Sequence, residues 1–193
     1  ARLFERSPAV SVRSGQVVTE SGRVECGAVV VAVDGRLEAL LPELEGTVRT
    51  ARLQMLATAP TVEIDLPRPV YRRYGYEYYQ QAADGRLALG GFRDQAGDSE
   101  WTSAAQPSAF VQERLERFLR SELGVHAPIT HRWGASVGYT AGVLPVAAEV
   151  RSGVWAVGGY NGTGNLVGAL AGRAAARRAV GQATEAWTLL GGS

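Results

Sequence analysis

One glycine-rich run carries the clearest chemical signal in the sequence. Residues 158–164 read Gly-Gly-Tyr-Asn-Gly-Thr-Gly and lie between a strand predicted at residues 154–157 and a helix predicted at residues 165–180. Glycines let the backbone pass close to a ligand, and the start of a helix presents unpaired N–H groups and a positive dipole end. The run therefore predicts a binding site for a group that develops negative charge. An ordinary structural loop is the alternative.

The run differs from the fingerprint of a dinucleotide-binding fold. That fingerprint needs a second strand and an acidic residue about 20 positions further on. Here the chain ends without another predicted strand, and Glu185, at nearly the right distance, follows no strand. We interpret the run as the last strand–helix unit of its sheet, directed at an electron-poor ring that becomes anionic when reduced. The N1–C2=O edge of a flavin has this property, and a helix dipole there favours the reduced state.

Three tyrosines form a second candidate. Tyr74, Tyr76 and Tyr78 alternate along a strand predicted at residues 71–81, which would place them on one face. Packing in the core or across strands is the simpler interpretation of this pattern. An aromatic cage for a cationic amine is the functional alternative, because cations bind the faces of aromatic rings.

The other polar candidates are few. Arg52, on a long strand predicted at residues 47–59, is the preferred candidate for contact with an anionic group. His126 and His131 are the only histidines, and no cluster of Cys, His or carboxylate residues accompanies them, so no metal site is predicted. We interpret His131 as a hydrogen-bonded strand residue. The sequence offers no convincing Ser-His-Asp set or carboxylate pair, and no catalytic residue is assigned.

The elements that would position these residues begin with a β-meander. Its predicted strands are Ala9–Arg13, Gln16–Thr19 and residues 23–26. Residues 29–33 are apolar at every position, which is typical of a strand covered on both faces in a parallel sheet. We therefore expect an α/β layer that the chain leaves to form the meander. The chain would return to this layer at residues 29–33.

The middle of the chain predicts a hairpin and one long helix. Asp84-Gly85 is the strongest hairpin signal and joins strands predicted at residues 71–81 and 87–92. The helix opens at Pro107, has apolar residues at helical spacing, and ends before Gly124. Residues 126–139 return to extended structure. The elements together predict an α/β fold, α+β overall.

Composition narrows the class of protein. The 193 residues are 46% hydrophobic and carry a formal net charge of +1, so no broad basic field predicts a nucleic-acid partner. No apolar run reaches the roughly 18 residues of a membrane span, and no signal peptide is recognisable. The single cysteine, Cys26, fits a reducing compartment, and a cytoplasmic location is expected. The start at Ala1 suggests a chain that is entered in mid-fold.

Six stretches follow one another in an order that is specific, although single pieces are weak signals. They read SPAVSV, VVVAVDG, LQMLATAP, DGRLALGG, HRWGASVGYTAGVLP and VWAVGGYNGTGNLVGALAGR, and they extend from Ser7 to Arg173. This series resembles the D-amino-acid oxidase-like family of FAD-dependent oxidoreductases, which includes glycine, sarcosine and gamma-glutamylputrescine oxidases.

The resemblance implies a two-part fold. Residues 1–35 and 151–193 would belong to an FAD-binding domain with a parallel sheet, and residues 36–150 to an inserted antiparallel substrate-binding sheet with one long helix. The family's GxGxxG strand and helix, which bind the pyrophosphate, would precede Ala1. The missing N-terminal half of the same enzyme is therefore an expected partner of this chain.

The resemblance also assigns site residues. The backbone of Val10 would meet the adenine, Ala32 and Gly35 would lie along the cofactor, and the strand at Trp133 and Gly134 would lie beside the flavin ring. The loop that holds the ring would consist of Gly159, Tyr160, Asn161, Gly162, Thr163 and Gly164. The expected substrate-binding residues are Arg52, Tyr76, Tyr78 and Tyr160.

The implied activity is oxidation of a small-molecule amine or amino acid. Hydride would pass from the carbon next to nitrogen to flavin N5, and the resulting imine would hydrolyse. Residues 1–193 by themselves are expected to be inactive. The alternative is a non-redox binding or interaction module that retains this fold.

Two departures from the family's pattern concern lysines. Members that fix a substrate carboxylate with a lysine after the glycine loop carry it where Leu166 stands. Members that speed oxygen reduction with a lysine after the hairpin carry it where Ala88 stands. We therefore expect an amine in preference to a simple amino acid, and slow reduction of oxygen.

Overall fold

The chain forms two compact units in a computed structural model that describes residues 1–192. The first unit comprises Ala1–Thr50 and Val137–Ser193, and the second comprises Ala51–Ser136. Residues 36–50 and 137–150, predicted to belong to the middle domain, therefore group with the two chain ends. Hydrogen bonds explain this grouping, because Arg36 N–H donates to Thr50 Oγ1 and Gly138 N–H donates to Asp34 Oδ2.

The first unit opens with the predicted meander. Strands β1 (Ala9–Arg13), β2 (Gln16–Thr19) and β3 (Gly22–Glu25) form a three-stranded antiparallel sheet in chain order. This confirms the interpretation of the first 25 residues.

A second three-stranded sheet in the first unit has the order β10-β11-β4. Strand β4 (Val29–Val31) pairs in parallel with β11 (Val154–Gly158), and β10 (Val146–Arg151) pairs antiparallel with β11. The parallel pair confirms the prediction that the apolar run at residues 29–33 forms a strand of a parallel sheet. The strand is two residues shorter than predicted, since the chain leaves the ladder before a turn in which Asp34 has φ +58°.

Two helices complete the first unit. Helix α2 (Gly164–Ala179) follows the glycine-rich run as predicted, and α3 (Glu185–Leu189) was not predicted. The buried alanines of α2 pack beside Trp155 and Trp187, whose rings meet edge to face at 5.4 Å. Small residues on α2 thus let the helix lie close to β11.

The second unit is built on a five-stranded sheet with the order β6-β7-β8-β5-β9. The strands are β5 (Val48–Pro60), β6 (Val70–Arg72), β7 (Glu77–Gln81), β8 (Arg86–Gly91) and β9 (Ile129–Thr140), and the unit boundaries fall inside β5 and β9. Helix α1 (Ala109–Ser121) confirms the long predicted helix, and β7 and β8 confirm the Asp84-Gly85 hairpin. Short 3-10 segments occur at Leu37–Ala39, Pro42–Leu44, Arg73–Gly75 and Arg93–Glu100.

Residues 71–81 do not form the continuous strand that was predicted. A 3-10 turn at Arg73–Gly75 separates β6 from β7, and Tyr74 within it has φ +58° and a fully exposed side chain. Arg73 holds the turn by pairing with Glu77 and Asp94. The three tyrosines therefore do not share one strand face, because only Tyr78 lies on β7.

The sheet of the second unit has two distinct faces. Leu56, Leu87 and Leu89 pack against α1 in one apolar core that includes Leu115 and Phe118. Side chains alternate across a strand, so Met55, Ala88 and Tyr78 lie on the face opposite α1.

Candidate functional site

The glycine-rich loop between β11 and α2 uses a left-handed backbone at three positions. The φ angles are +66° at Gly159, +54° at Asn161 and +84° at Gly162. Glycine enters this region without steric cost, and asparagine is one of the few other residues that tolerate it. The sequence therefore permits a loop that turns sharply from a buried strand into the first turn of a helix.

Asp34, which sequence analysis did not single out, bonds to this loop from the turn after β4. The Tyr160 N–H donates to Asp34 Oδ1 at 3.0 Å, and the Gly138 N–H donates to Asp34 Oδ2 at 2.9 Å. The Asp34 carbonyl also accepts from the Gly159 N–H at 3.2 Å. The available signal was the Asp34-Gly35 pair directly after a buried strand, of which only Gly35 was assigned to the cofactor site.

Asn161 forms a second set of bonds on the same side of the loop. Its Oδ1 accepts from the Thr140 N–H at 2.9 Å, and its Nδ2 donates to Thr140 Oγ1 at 3.1 Å. Its own N–H donates to the Gly138 carbonyl at 3.0 Å. The side chain of Asn161 therefore bonds inward and fixes the loop to the end of β9.

The Tyr160 ring packs along the start of α2. A Cβ atom added to Gly168 would lie 3.2 Å from the ring, and one added to Gly164 would lie 3.4 Å from it. Burial raises the pKa of the Tyr160 phenol, and the negative charge of Asp34 raises it further. The phenol accordingly keeps its proton at neutral pH.

The outer side of the loop is open. Gly162 and Thr163 are exposed, and a Cβ atom on Gly162 would meet nothing closer than the Tyr139 hydroxyl at 3.8 Å. Leu166, in the first turn of α2, is 69% exposed. The loop is thus held by polar side chains on its inner side and presents bare backbone outward beside a helix N-terminus. These residues fit a planar group that takes up negative charge, as a flavin does.

The other predicted cofactor residues of the first unit lie in different places. Gly35 is buried beside Thr50 and Gly138, since an added Cβ would lie 3.0 Å from Thr50 Oγ1 and 3.4 Å from Gly138 N. Ala32 is exposed just after β4, and Val10 is 52% exposed on β1 of the meander sheet. The structure brings Gly35 together with the loop through Gly138 and places Val10 in a separate sheet.

In the second unit, Arg52 forms an internal ion pair. Its Nε and Nη2 donate to Glu100 Oε2 and Oε1 at 2.9 and 2.7 Å, and its Nη1 donates to the Gln106 carbonyl at 2.6 Å. Arg52 is only 9% exposed and Glu100 is fully buried. This geometry speaks against the predicted contact between Arg52 and a substrate anion, because the buried guanidinium already pairs with Glu100 through Nε and Nη2 and bonds to the Gln106 carbonyl through Nη1.

Further hydrogen bonds complete the surroundings of Glu100. Gln54 Nε2 donates to Oε2 at 2.8 Å, and Ser108 Oγ donates to Oε1 at 3.0 Å. Burial by itself raises the pKa of Glu100, but the bonds from Arg52, Gln54 and Ser108 outweigh it and the net pKa is lowered. We name these residues, with Arg52 and Glu100, the Glu100 network.

The remaining predicted residues of the second unit lie on or near its sheet. Gly134 packs on the Arg52 side chain, since an added Cβ would lie 3.1 Å from Arg52 Cδ, and the neighbouring Trp133 is 36% exposed. The Tyr78 ring covers Gly90 and stacks on Tyr71 at 6.0 Å. Tyr76 lies after the 3-10 turn and is 42% exposed. Tyr76 and Tyr78 therefore do not share the strand face on which the aromatic-cage alternative depended.

Residues 1–192 show neither a metal-binding cluster nor a membrane-spanning helix. Within this range no group of three or more His, Cys, Asp or Glu side chains is arranged to hold a metal ion. Every helix in this part of the chain is too short or too polar to cross a lipid bilayer.

The fold of the chain agrees with comparisons to known proteins. Residues 1–178 match the family described as DAO, FAD dependent oxidoreductase. The chain therefore belongs to this family, whose cofactor is FAD.

Individual relatives are distant and longer. The chain is 29% identical over 194 residues to a protein named "Probable oxidoreductase OrdL" from Rhizobium meliloti (strain 1021), covering 96% of this chain and 44% of that protein. It superimposes on glycine oxidase from Geobacillus kaustophilus with a TM-score of 0.75 at 19% identity, covering 95% of this chain and 50% of that one. L-proline dehydrogenase from P. horikoshii gives a TM-score of 0.71 at 16% identity, with 95% and 52% covered. The chain thus spans about half the length of these proteins and shares their fold over that half.

Proposed function

We propose that the protein containing this chain uses FAD to oxidise a small-molecule amine or amino acid at the carbon next to nitrogen. The observation that carries the proposal is the glycine-rich loop, which is braced on its inner side by Asp34 and Asn161 and open on its outer side at Gly162. Bound FAD supplies the hydride acceptor, which no amino-acid side chain provides.

The residues of this chain hold and orient the reacting groups. The outer backbone of residues 162–164 and the start of α2 would receive the flavin ring, with negative charge favoured by the helix dipole. Val10, Ala32, Gly35, Trp133 and Gly134 are proposed as further cofactor residues. Such positioning accounts for a large part of catalysis when the protein itself supplies no nucleophile.

The substrate is proposed to be an amine rather than a simple amino acid. Leu166 is apolar, and Arg52 bonds internally to Glu100 and to the Gln106 carbonyl. A buried carboxylate without a charged partner costs several kcal/mol. Tyr76, Tyr78 and Tyr160 are proposed as aromatic contacts, which suit a cationic nitrogen. Glycine oxidase and L-proline dehydrogenase, named above, support a nitrogen-bearing substrate.

The whole activity is proposed for the intact protein. Because the chain spans about half of its relatives, we propose that the pyrophosphate-binding part lies outside residues 1–193. A polypeptide limited to these residues is expected to bind FAD weakly and to be inactive.

The test is to purify the intact protein and record its visible absorbance before and after denaturation. We expect a yellow protein that releases FAD and is bleached by at least one member of a panel of amines and amino acids. A folded, colourless protein that ignores added FAD would contradict the proposal. It would favour the non-redox binding module.

A further inference from the structure

We propose that Asp34 is the positioning residue of the flavin loop. Its carboxylate holds the backbone of Tyr160 and Gly138 so that the loop between β11 and α2 adopts its FAD-binding conformation. This inference rests on the proposed function, and it assigns a role to a side chain that bonds to the inner side of the loop.

The first argument is geometric. One residue bonds to two segments that lie 126 and 104 positions away in the chain, at Tyr160 and Gly138. A third bond, from the Gly159 N–H to the Asp34 carbonyl, fixes the backbone position of the residue before Tyr160. Asp34 therefore fixes the loop at two consecutive residues and ties it to β9.

The second argument is the close approach of glycines to Asp34. A Cβ atom added to Gly158 would lie 2.5 Å from the Asp34 carbonyl oxygen, and one added to Gly138 would lie 2.9 Å from the same atom. Such distances are far shorter than normal packing allows. Two glycines on separate strands thus leave the space that Asp34 occupies, which indicates a specific junction rather than a chance surface bond.

The third argument concerns the choice of aspartate. The two carboxylate oxygens accept from two different backbone N–H groups, and bonds to a charged acceptor are stronger than neutral ones. Asparagine has one acceptor oxygen, so one of the two N–H groups would face an NH₂ group instead. Asp34 also has φ +58°, a conformation that glycine would adopt more easily. The carboxylate, and not the turn alone, explains why aspartate stands there.

The experiment compares Asp34→Asn and Asp34→Gly with the wild type in the intact protein. Asp84→Asn is the matched control, because Asp84 accepts from the Arg86 N–H in the hairpin turn of the second unit. The readouts are FAD affinity, residue-resolved hydrogen exchange of the FAD-free protein, and near-ultraviolet circular dichroism. The last reports the packing around the aromatic side chains, among them the Trp155–Trp187 pair of the first unit.

We expect both Asp34 variants to weaken FAD binding by about tenfold or more, while Asp84→Asn leaves it unchanged. In Asp34→Gly the amides of Tyr160 and Gly138 should exchange about tenfold faster without FAD, with the tryptophan signal retained. The glycine variant separates two roles, because a residue needed only for a left-handed turn would be replaced by glycine without loss.

Three results would overturn the proposal. One is FAD affinity within twofold of the wild type in both variants. Another is unchanged exchange at Tyr160 and Gly138. A third is a loss of affinity only where the tryptophan signal is also lost. A wild-type protein that binds no FAD would instead overturn the proposed function, and the positioning role with it.

Discussion

At the scale of single residues, the inner and outer sides of the loop at residues 158–164 have different roles. Asn161 and Tyr160 turn inward, where they bond to β9 and pack on α2, whereas Gly162 has open space outside it. Inner residues therefore set the shape of the loop, and the outer glycine leaves room for a ligand. Substitutions on the two sides should have separable effects.

Gly162→Val should lower the FAD affinity of the intact protein by about tenfold or more. The left-handed conformation costs a residue with a Cβ atom roughly 1–2 kcal/mol, and the side chain would project into the proposed flavin space. The measurement is titration with FAD followed by absorbance. Gly22→Val is the control, since Gly22 lies on β3 with nothing within 4 Å of an added Cβ. Equal FAD affinity in both variants would mean that the loop is only a structural turn.

Asn161→Ala should weaken the attachment of the loop to β9. It removes the bonds to the Thr140 N–H and Oγ1, each worth about 0.5–1.5 kcal/mol, and leaves alanine at φ +54°. We expect a lower midpoint in urea unfolding together with weaker FAD binding. Thr19→Ala provides the comparison, because Thr19 lies outside the loop and its hydroxyl bonds locally to the Gly22 carbonyl. A change in FAD binding without any change in stability would argue that Asn161 contacts the cofactor directly.

At the scale of elements, the Glu100 network joins a strand, a 3-10 segment and a helix. Arg52 and Gln54 come from β5, Glu100 ends the segment Arg93–Glu100, and Ser108 precedes the first residue of α1. Buried charges are tolerated when all their partners are present, and removal of one partner is strongly destabilising. The network therefore fixes how α1 and the preceding segment meet the sheet.

Glu100→Gln should lower the free energy of unfolding by about 3–5 kcal/mol near neutral pH, because it leaves Arg52 without its charged partner. The pKa of Glu100 is lowered in the folded protein, so its contribution is complete above the pKa of the unfolded chain. That contribution is lost as the pH falls through the folded value.

Urea unfolding from neutral to acidic pH tests this expectation. The difference between wild type and Glu100→Gln should shrink as the pH falls below the ordinary carboxyl range. Glu113→Gln, at an exposed position of α1, is the control and should show no comparable loss. A difference that does not depend on pH would mean that side-chain packing, and not charge, is responsible.

At the scale of the whole molecule, the chain spans about half the length of the proteins that it matches. It matches 44% of its curated relative and 50–52% of the two solved structures compared above. Its two units carry different parts of the proposed machinery. The first holds the glycine-rich loop, and the second holds the sheet with Tyr78 and Ala88.

Turnover of the intact protein with an artificial electron acceptor should exceed turnover with oxygen. Ala88 stands where the oxygen-assisting lysine of related oxidases is expected, and none of the 193 residues of this chain is a lysine. The measurement is the rate with each acceptor for a panel of amines and small amino acids. Ala88→Lys should raise the oxygen rate by several fold if that position is the relevant one. Brisk peroxide formation by the wild type with glycine or sarcosine would contradict both the acceptor and the substrate preference.

The fold and the position of the loop followed from local pattern. The valine run at residues 29–33 predicted a parallel strand, helical periodicity predicted α1, and the glycine run predicted the start of α2. Each signal lies within about a dozen neighbouring residues. Over that range the spacing of apolar residues and the presence of turn-forming residues indicate the local structure. The prediction of one strand over residues 71–81 was wrong, because Arg73, Tyr74 and Gly75 all have positive φ angles and Arg73 pairs with Glu77 and Asp94.

The sequence by itself therefore indicated the family, the meander, the hairpin, the two longer helices and the glycine-rich loop that is proposed to face the cofactor. Only the tertiary structure decided which polar side chains bond to that loop and which form hydrogen bonds in other parts of the fold. Asp34 meets partners 104 and 126 positions away, and Arg52 meets Glu100 at a separation of 48. No periodicity along the chain predicts such pairs. The two partners are far apart in the sequence, and they come within hydrogen-bond distance only when the strands pack.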